Sequence, residues 1–346
     1  MTMTTRPTDH LRLADPGATA RPSRSWHRRI GRWLIRALGA VVVLAVIGAV
    51  LQGVAERADA AAYPAPGEHV ELPDGRRLHL QIAGEQEDGP TVIFEAGAGA
   101  HSDQWAWIQP AVAENATAVS YDRAGLGWSD ASANGPDAAG VVSDLRDALA
   151  ARGLPGPYVL VGHSLGAHYV RAFADAHPDE VAGVVLVDPS HEDQAVIIGP
   201  HEQMGTTFAA LRAAARLGIL RLYNPMVADV HLLPEPQRSR ALSHLASTPS
   251  VRALVSEMHA LDDIGAQLPS TSGALGDVPL RILIAANSAN PREQQMVAEL
   301  AKLKAQMPTL STQGEAVVLP RANHYTIVTD RDQAADVADA ILDVLP

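Results

Sequence analysis

The chain has 346 residues, of which 47% are hydrophobic and 19% charged, and it carries a net charge of −12 and no cysteine. The absence of cysteine excludes disulfides, thiolate metal sites and a cysteine nucleophile. The acidic balance argues against a nucleic-acid partner, because phosphate binding depends on clustered positive charge. The length predicts one large domain or two modest ones.

Positive charge is concentrated at the N-terminus. Residues 1–36 contain eight arginines and two aspartates, so this end carries +6 and the rest of the chain −18. Because the first residues are also polar and rich in Thr and Pro, we predict a disordered basic tail over 1–29.

An almost wholly apolar stretch over residues 37–54 follows, interrupted only by Gln52. Together with apolar residues just before it, the segment 30–54 is long enough to cross a bilayer as one helix, either a transmembrane helix or a signal anchor. The arginines precede this segment, so the positive-inside rule predicts a cytoplasmic N-terminus and an extracytoplasmic body. A signal peptide cleaved within 58–62, which would give a secreted protein, and a buried core helix are the alternatives.

After a linker over 55–66, rich in alanine and proline, the domain predicted over 67–346 begins with a hairpin of strands 69–72 and 77–82. Further short apolar strands are predicted at 91–95, 116–121, 158–161, 181–187, 280–285 and 316–319. Helices are predicted at 141–152, 167–176 and 332–345. Apolar strands that alternate with helices indicate a buried, mostly parallel sheet with helices on both faces.

The strand pattern disappears between residues 191 and 277. Leu, Ala and Met recur there at helical spacing, and several prolines break the segment into pieces. We therefore predict a helical cap inserted over the sheet at about 191–277.

The sequence Gly162-His163-Ser164-Leu165-Gly166 lies between the predicted strand 158–161 and the predicted helix 167–176. A serine between a strand and a helix, with glycine two positions away on either side, is the pattern of a nucleophile elbow, whose sharp turn leaves no room for flanking side chains. The turn exposes the serine hydroxyl and leaves the next N–H free to stabilise an oxyanion. Ser164 is the predicted nucleophile and Leu165 a predicted oxyanion donor; a non-catalytic glycine-rich turn is the alternative.

Four segments in this order resemble the α/β-hydrolase superfamily: FEAGAG (94–99), YDRAGLGWSD (121–130), VGHSLGA (161–167) and NHYT (323–326). The resemblance covers residues 65–346 and is closest to bacterial serine hydrolases and esterases with an N-terminal membrane segment. It implies an α/β-hydrolase fold with a helical cap, here preceded by one transmembrane helix. It also implies a small-molecule ester or acyl substrate, with no cofactor and no metal.

A serine nucleophile separates the chain from the dehalogenases and epoxide hydrolases of this superfamily, which attack through a carboxylate, and implies acyl transfer, mainly to water. The superfamily order of nucleophile, acid and histidine implies His324 as the base. The loop in which most members carry the acid has no aspartate here. Asp188, at the end of the preceding predicted strand, is therefore the first candidate and Glu293 the alternative.

The second oxyanion donor is expected from the loop after the strand 91–95, where Ala98 matches the family position best; members commonly carry His-Gly where this chain has Ala96-Gly97. The leading hypothesis is a membrane-anchored serine hydrolase that cleaves carboxylic esters through an acyl-enzyme intermediate. An amidase, peptidase or acyltransferase with the same triad is one alternative, and a non-catalytic binding module with the hydrolase fold at the membrane is another.

Overall fold

The computed structural model describes residues 24–84, 89–227, 229–268, 272–288 and 290–346. The chain divides into two units, the first ending at Ile47 and the second comprising Gly48–Pro346. Helix α1 (Arg24–Ala62) begins in the first unit and ends in the second.

Helix α1 is long and apolar enough to cross a membrane, and its apolar side chains are exposed. It extends beyond both limits of the predicted span (30–54). The predicted tail (1–29) lies outside the described residues up to position 23 and is helical from Arg24 on, and the predicted linker (55–66) is helical as far as Ala62. The segment 55–62 contains five alanines, which favour a helix over an irregular linker.

In the described part of the second unit, eight strands form a sheet in the order β1-β2-β4-β3-β5-β6-β7-β8. The strands are β1 (Glu68–Glu71), β2 (Arg77–Ala83), β3 (Thr91–Glu95), β4 (Thr117–Tyr121), β5 (Tyr158–His163), β6 (Val181–Val187), β7 (Leu280–Ala285) and β8 (Gly314–Leu319). β2 pairs antiparallel with β1 and β4, and every other pair is parallel. The predicted mostly parallel sheet is confirmed.

The helices of the second unit surround this sheet. They are α2 (Ile108–Val112), α3 (Ala138–Arg152), α4 (Gly166–Ala176), α5 (Ala195–Ile198), α6 (Gly205–Arg216), α7 (Ile219–Leu222), α8 (Gln237–Leu245), α9 (Thr248–Ala266), α10 (Pro291–Lys304), α11 (Thr326–Thr329) and α12 (Arg331–Leu342). Short 3₁₀ helices lie at Ser102–Trp105, Pro178–Glu180, His201–Met204, Pro225–Val227, Val230–Leu232 and Met307–Leu310.

Both faces of the sheet are buried. Along β5, Tyr158 and Leu160 pack into a core that includes α3 and α4, whereas Val159 and Val161 pack into a second core that includes α2 and α12. Because successive side chains of a strand point to opposite faces, a strand that is apolar at every position requires helices on both sides.

Helices α5 to α9 occupy the stretch predicted as the cap insertion (191–277). Phe208 of α6, Leu220 of α7 and Val255 of α9 share a small apolar core of their own. Helix α9 also touches the loop after β3, because a Cβ added to Gly99 would come within 2.7 Å of the Leu254 side chain. The carboxyl ends of the parallel strands meet at this edge of the sheet, so α9 lies beside the place where their loops converge.

Candidate active site

Ser164 lies in the sharp turn between β5 and α4 and adopts the left-handed backbone conformation, with φ of +55°. The two flanking glycines have no room for a side chain. A Cβ on Gly162 would come within 2.7 Å of the Gly166 carbonyl oxygen, and one on Gly166 within 2.3 Å of the Glu95 carbonyl oxygen. Real Cβ atoms do not approach this closely, so the glycine spacing of the sequence is a steric requirement of this turn.

The structure brings three of the predicted residues together. Ser164 Oγ lies 3.0 Å from His324 Nε2, and His324 Nδ1 lies 2.6 Å from Asp188 Oδ2. The carboxylate can only accept, so Nδ1 carries the proton and Nε2 is left to accept from the serine hydroxyl. His324 follows β8 and Asp188 follows β6, so the loops of three parallel strands supply the set.

Asp188 is almost completely buried, and its second oxygen is also occupied. Oδ1 accepts hydrogen bonds from the Ala285 backbone N–H (3.0 Å) and from the Lys304 ammonium (2.7 Å). Burial favours the neutral carboxyl, but the Lys304 charge and the hydrogen bond from His324 outweigh it and hold the pKa of Asp188 well below its usual range. The carboxylate is therefore ionised and fixed in place.

His163, inside the elbow, contacts both the backbone and the ring of His324. Its Nε2 donates to the His324 carbonyl oxygen at 2.8 Å, and the two rings lie 4.9 Å apart between centroids. Burial, reinforced by neighbouring His324, lowers the pKa of His163 to about 3. At neutral pH the His163 imidazole is therefore uncharged and holds the backbone of His324.

The loop after β3 lies against Ser164, since a Cβ on Gly97 would come within 3.3 Å of Ser164 Cβ. The N–H of Gly97 donates to Gln104 (3.2 Å) and that of Gly99 to Glu257 (2.7 Å). Among the described residues, the N–H groups of Ala98 and Leu165 have no partner within the protein. Both predicted oxyanion donors are thus available at this end of the sheet.

A buried ionic cluster holds this loop. Arg123 donates to the carbonyl oxygens of Ala96 (2.6 Å) and Gly97 (2.8 Å), which precede the turn at 98–99. Its guanidinium also bonds to Glu95 at 2.6 Å and, through two nitrogens, to Glu257 of α9 at 2.7 and 3.0 Å. Burial raises the pKa of Glu95, although the Arg123 charge opposes the shift. Loop 96–99 is therefore held by the Arg123 cation, from the loop after β4, and by the Glu257 anion of the cap.

The alternative acid lies elsewhere. Glu293 is exposed in the first turn of α10, where it accepts from Ser288 (3.2 Å) and Asn290 (2.8 Å). His324 makes its Nδ1 hydrogen bond to Asp188 instead.

Sequence reasoning did not find Lys304, and it did not pair Arg123 with Glu257. These residues are far from their partners along the chain, and no local motif marks them. Arg123 stands within the segment 121–130 that carries the resemblance, which was the only available signal. Among the described residues, no cluster of three His, Asp or Glu side chains is arranged to hold a metal ion.

Comparison with known proteins gives the family. A model described as "Alpha/beta hydrolase family" matches residues 92–340. The chain belongs to this family. Among curated proteins, the uncharacterized protein YqjL of Bacillus subtilis is 33% identical over 131 residues, which are 38% of this chain and 51% of that protein. The chain spans about half the length, or less, of the curated relatives that it matches.

Solved hydrolases have the same fold. An epoxide hydrolase from Bacillus megaterium has a TM-score of 0.61 at 15% identity, covering 80% of this chain and 100% of that one. A thermophilic esterase from Thermogutta terrifontis has a TM-score of 0.54 at 18% identity, covering 81% and 100%. At these identities the likeness shows the fold, so the chemistry of this alpha/beta hydrolase has to be argued from its own side chains.

Proposed function

We propose that this alpha/beta hydrolase is a serine hydrolase that cleaves carboxylic esters through an acyl-enzyme intermediate. The observation that carries the proposal is the continuous line of hydrogen bonds from Ser164 Oγ through the His324 ring to Asp188. A serine hydroxyl is a poor nucleophile unless a base takes its proton, and this line supplies the base in the required tautomer.

In the first half of the reaction, Ser164 Oγ attacks the ester carbonyl carbon while His324 Nε2 takes the hydroxyl proton. The carbonyl oxygen becomes an oxyanion, which the N–H groups of Leu165 and Ala98 stabilise in this proposal. The intermediate collapses, the bond to the alcohol oxygen breaks, and Nε2 returns the proton to the leaving alkoxide. The products are a free alcohol and an acyl group on Ser164.

In the second half, water replaces the alcohol. The water oxygen attacks the acyl carbon while His324 Nε2 takes a proton from the water. His324 then gives that proton to Ser164 Oγ as the bond between Oγ and the acyl carbon breaks. Asp188 stays ionised throughout, because its low pKa keeps it from taking the proton, and it stabilises the transient imidazolium.

We also propose that α1 anchors the enzyme in a membrane, with residues after the span outside the cytoplasm. Gln52 and Glu56 support an uncleaved helix, because both bond to the cap: Gln52 to the Ala246 carbonyl (2.9 Å) and Glu56 to the Thr248 N–H (2.7 Å). Signal cleavage within 58–62 would detach these residues from the body that they hold.

A fluorophosphonate probe tests the hydrolase. The full chain should be labelled and should hydrolyse short-chain p-nitrophenyl esters, and Ser164→Ala should abolish both. Folded wild-type protein that takes no label would leave only a non-catalytic module. Labelling without ester turnover, accompanied by cleavage of aminoacyl amides, would assign the same side chains to amide hydrolysis.

Fractionation tests the anchor. The full chain should stay with the membrane after an alkaline wash, and its body should be open to protease only from the extracytoplasmic side. A soluble protein that begins near Ala61 would show that the segment is a cleaved signal.

A further inference from the structure

The only polar residue in the apolar stretch of α1 is a contact point of the cap. Gln52 is almost fully buried, although its neighbours Leu51 and Val54 are 62% and 56% exposed. Its amide accepts from Arg221 of α7 at 2.8 Å and donates to the Ala246 carbonyl. A side chain whose hydrogen bonds all stay within the protein removes the cost of a polar group at this place in an apolar helix.

The contact continues along one face of α1. Positions 48, 52, 56 and 59 recur at the spacing of one helix face. Glu56 bonds to the Thr248 N–H, and Asp59 pairs with Arg221 at 2.7 Å. At the other end of the row, a Cβ on Gly48 would come within 2.6 Å of the Leu217 carbonyl oxygen, so the backbones of α1 and the cap touch there.

Residues 217–223, which we term the cap corner, expose apolar side chains beside this contact. Leu222 is 89% exposed and Tyr223 74%, and Ile219 is exposed as well. The preceding helix α6 ends with exposed Arg212 and Arg216. Exposed leucine and tyrosine next to arginine suit the boundary between lipid headgroups and acyl chains, because the apolar side chains enter the acyl region while arginine stays among the polar headgroups.

The depth of the cap corner follows from helix geometry. The apolar stretch ends at Val54, and Gly48 lies six residues earlier, a distance of about 9 Å at 1.5 Å per residue. Interfacial segments bury their apolar faces about 5–10 Å into the membrane. A bilayer that encloses the apolar stretch up to Val54 would therefore also reach the cap corner beside Gly48.

We propose that the cap corner, together with the exposed face of α1 at Val50, Leu51 and Val54, is a membrane-contacting surface whose occupant is the lipid bilayer at its headgroup boundary. The proposal rests on the membrane anchor of the proposed function. It gives the cap a second role, because α9 begins at the contact with Glu56 and reaches loop 96–99 through Glu257, which bonds to the Gly99 N–H. One helix thus joins the bilayer surface to the candidate active site.

Because the chain contains no cysteine, one introduced cysteine can report on this surface. Leu222→Cys in the full chain is labelled with an environment-sensitive dye and placed in lipid nanodiscs. Val196→Cys is the matched control: Val196 is 87% exposed and also belongs to the cap, but lies on α5, which contacts α10. We expect quenching by lipid-borne spin labels and protection from aqueous iodide at position 222, and the opposite at position 196.

Equal access of iodide to both dyes would overturn the proposal. Three further readouts separate its failure from failure of the proposed function. Ester turnover and fluorophosphonate labelling at Ser164 test the hydrolase in the same samples. Co-flotation with vesicles after an alkaline wash tests the anchor. If the chain floats and the dye at position 222 stays in water, the membrane-contacting surface is wrong and the anchor stands; if the chain does not float, both are wrong.

Discussion

The residues around Ser164 form two sets. The first, His324 and Asp188, is held by loops that follow strands of the central sheet, and we term it the sheet side. The second, loop 96–99, is held partly by the cap, and we term it the cap side. The first set is completed by Lys304 of α10, which packs beside the sheet. The second is completed by Glu257 of α9, which binds both Arg123 and the Gly99 N–H. Proton transfer should therefore survive a displaced cap, and oxyanion stabilisation should not.

The largest expected effect falls on the sheet side. Asp188→Asn keeps the shape of the side chain but cannot hold His324 in the tautomer that accepts from Ser164, and we expect kcat to fall about 10⁴-fold. Glu293→Gln, the matched change at the alternative acid, should leave kcat unaltered. Steady-state ester hydrolysis measures kcat of both variants. A loss of kcat in Glu293→Gln and none in Asp188→Asn would show that Glu293 supplies the acid.

A change on the cap side should cause a smaller loss of kcat, because it weakens oxyanion stabilisation and leaves proton transfer intact. Glu257→Gln removes the charge that pairs with Arg123 and loosens the loop that carries Ala98. Since removing one oxyanion donor outright costs about 10²–10³ in kcat, a displaced donor should cost about 10- to 100-fold, with little change in KM for a short ester. Steady-state kinetics of the purified full chain measures both constants.

The control for Glu257 is another buried ion pair of the cap. Arg240 of α8 bonds at 2.5 and 2.8 Å to Asp103 of the 3₁₀ helix Ser102–Trp105, and neither side chain makes a hydrogen bond to loop 96–99 among the described residues. Asp103→Asn should destabilise the fold but leave kcat of the folded enzyme close to wild type. Equal losses in kcat from both variants would mean that any weakening of the cap matters, and Glu257 would lose its role as a positioning residue.

The sheet side was largely predictable from the sequence, and the cap side was not. The elbow is local, since five consecutive residues contain the steric requirement for the turn at Ser164. Asp188 and His324 could be placed because strand ends are visible as the limits of apolar runs. The contact between Arg123 and Glu257 joins positions 134 residues apart, and nothing in a helical pattern says which face of α9 meets the sheet.

Lys304 illustrates the same limit within the sheet side. It is the last residue of a helix that also contains Lys302, and the two lysines look equivalent in sequence. Only packing separates them, because Lys302 pairs with Glu299 on the surface, whereas the Lys304 ammonium is buried against Asp188. Likewise, Gln52 stands out in the sequence as the single polar position in the apolar stretch. Its contact with the cap could not be predicted, because the sequence does not show where the cap lies.

Lys304→Met sharpens the account of the sheet side with a more modest effect. The change keeps the length of the side chain but removes the buried cation that does most to lower the pKa of Asp188, so the hydrogen-bonded pair of Asp188 and His324 should take up a proton at higher pH. We expect the acid limb of the kcat/KM profile to move up by roughly 1 pH unit, with only a few-fold loss at the optimum. Lys302→Met is the control and should leave the profile in place. An unshifted profile for both variants would make Lys304 purely structural.

The smallest expected effect concerns stability alone and involves His168, which lies on α4 just behind the elbow. His168 is fully buried, and among the described residues neither of its ring nitrogens has a hydrogen-bond partner. Burial lowers its pKa to about 3, so between that value and the unfolded pKa of about 6.5 only the unfolded chain takes up the proton. The contribution of His168 to the free energy of unfolding is therefore complete above pH 6.5. It declines as the pH falls, by about 2 kcal/mol at pH 5.

His168→Leu, which is similar in volume, should remove this decline and leave ester turnover at neutral pH unchanged. Urea unfolding of the full chain at pH 8 and pH 5 measures the difference, and His231→Leu at an exposed position is the control. Because α4 begins two residues after Ser164, unchanged turnover would show that the elbow is held by its own glycines and by the sheet. Lost turnover would instead make the interior of α4 a third support of Ser164, and the division between sheet side and cap side would be incomplete.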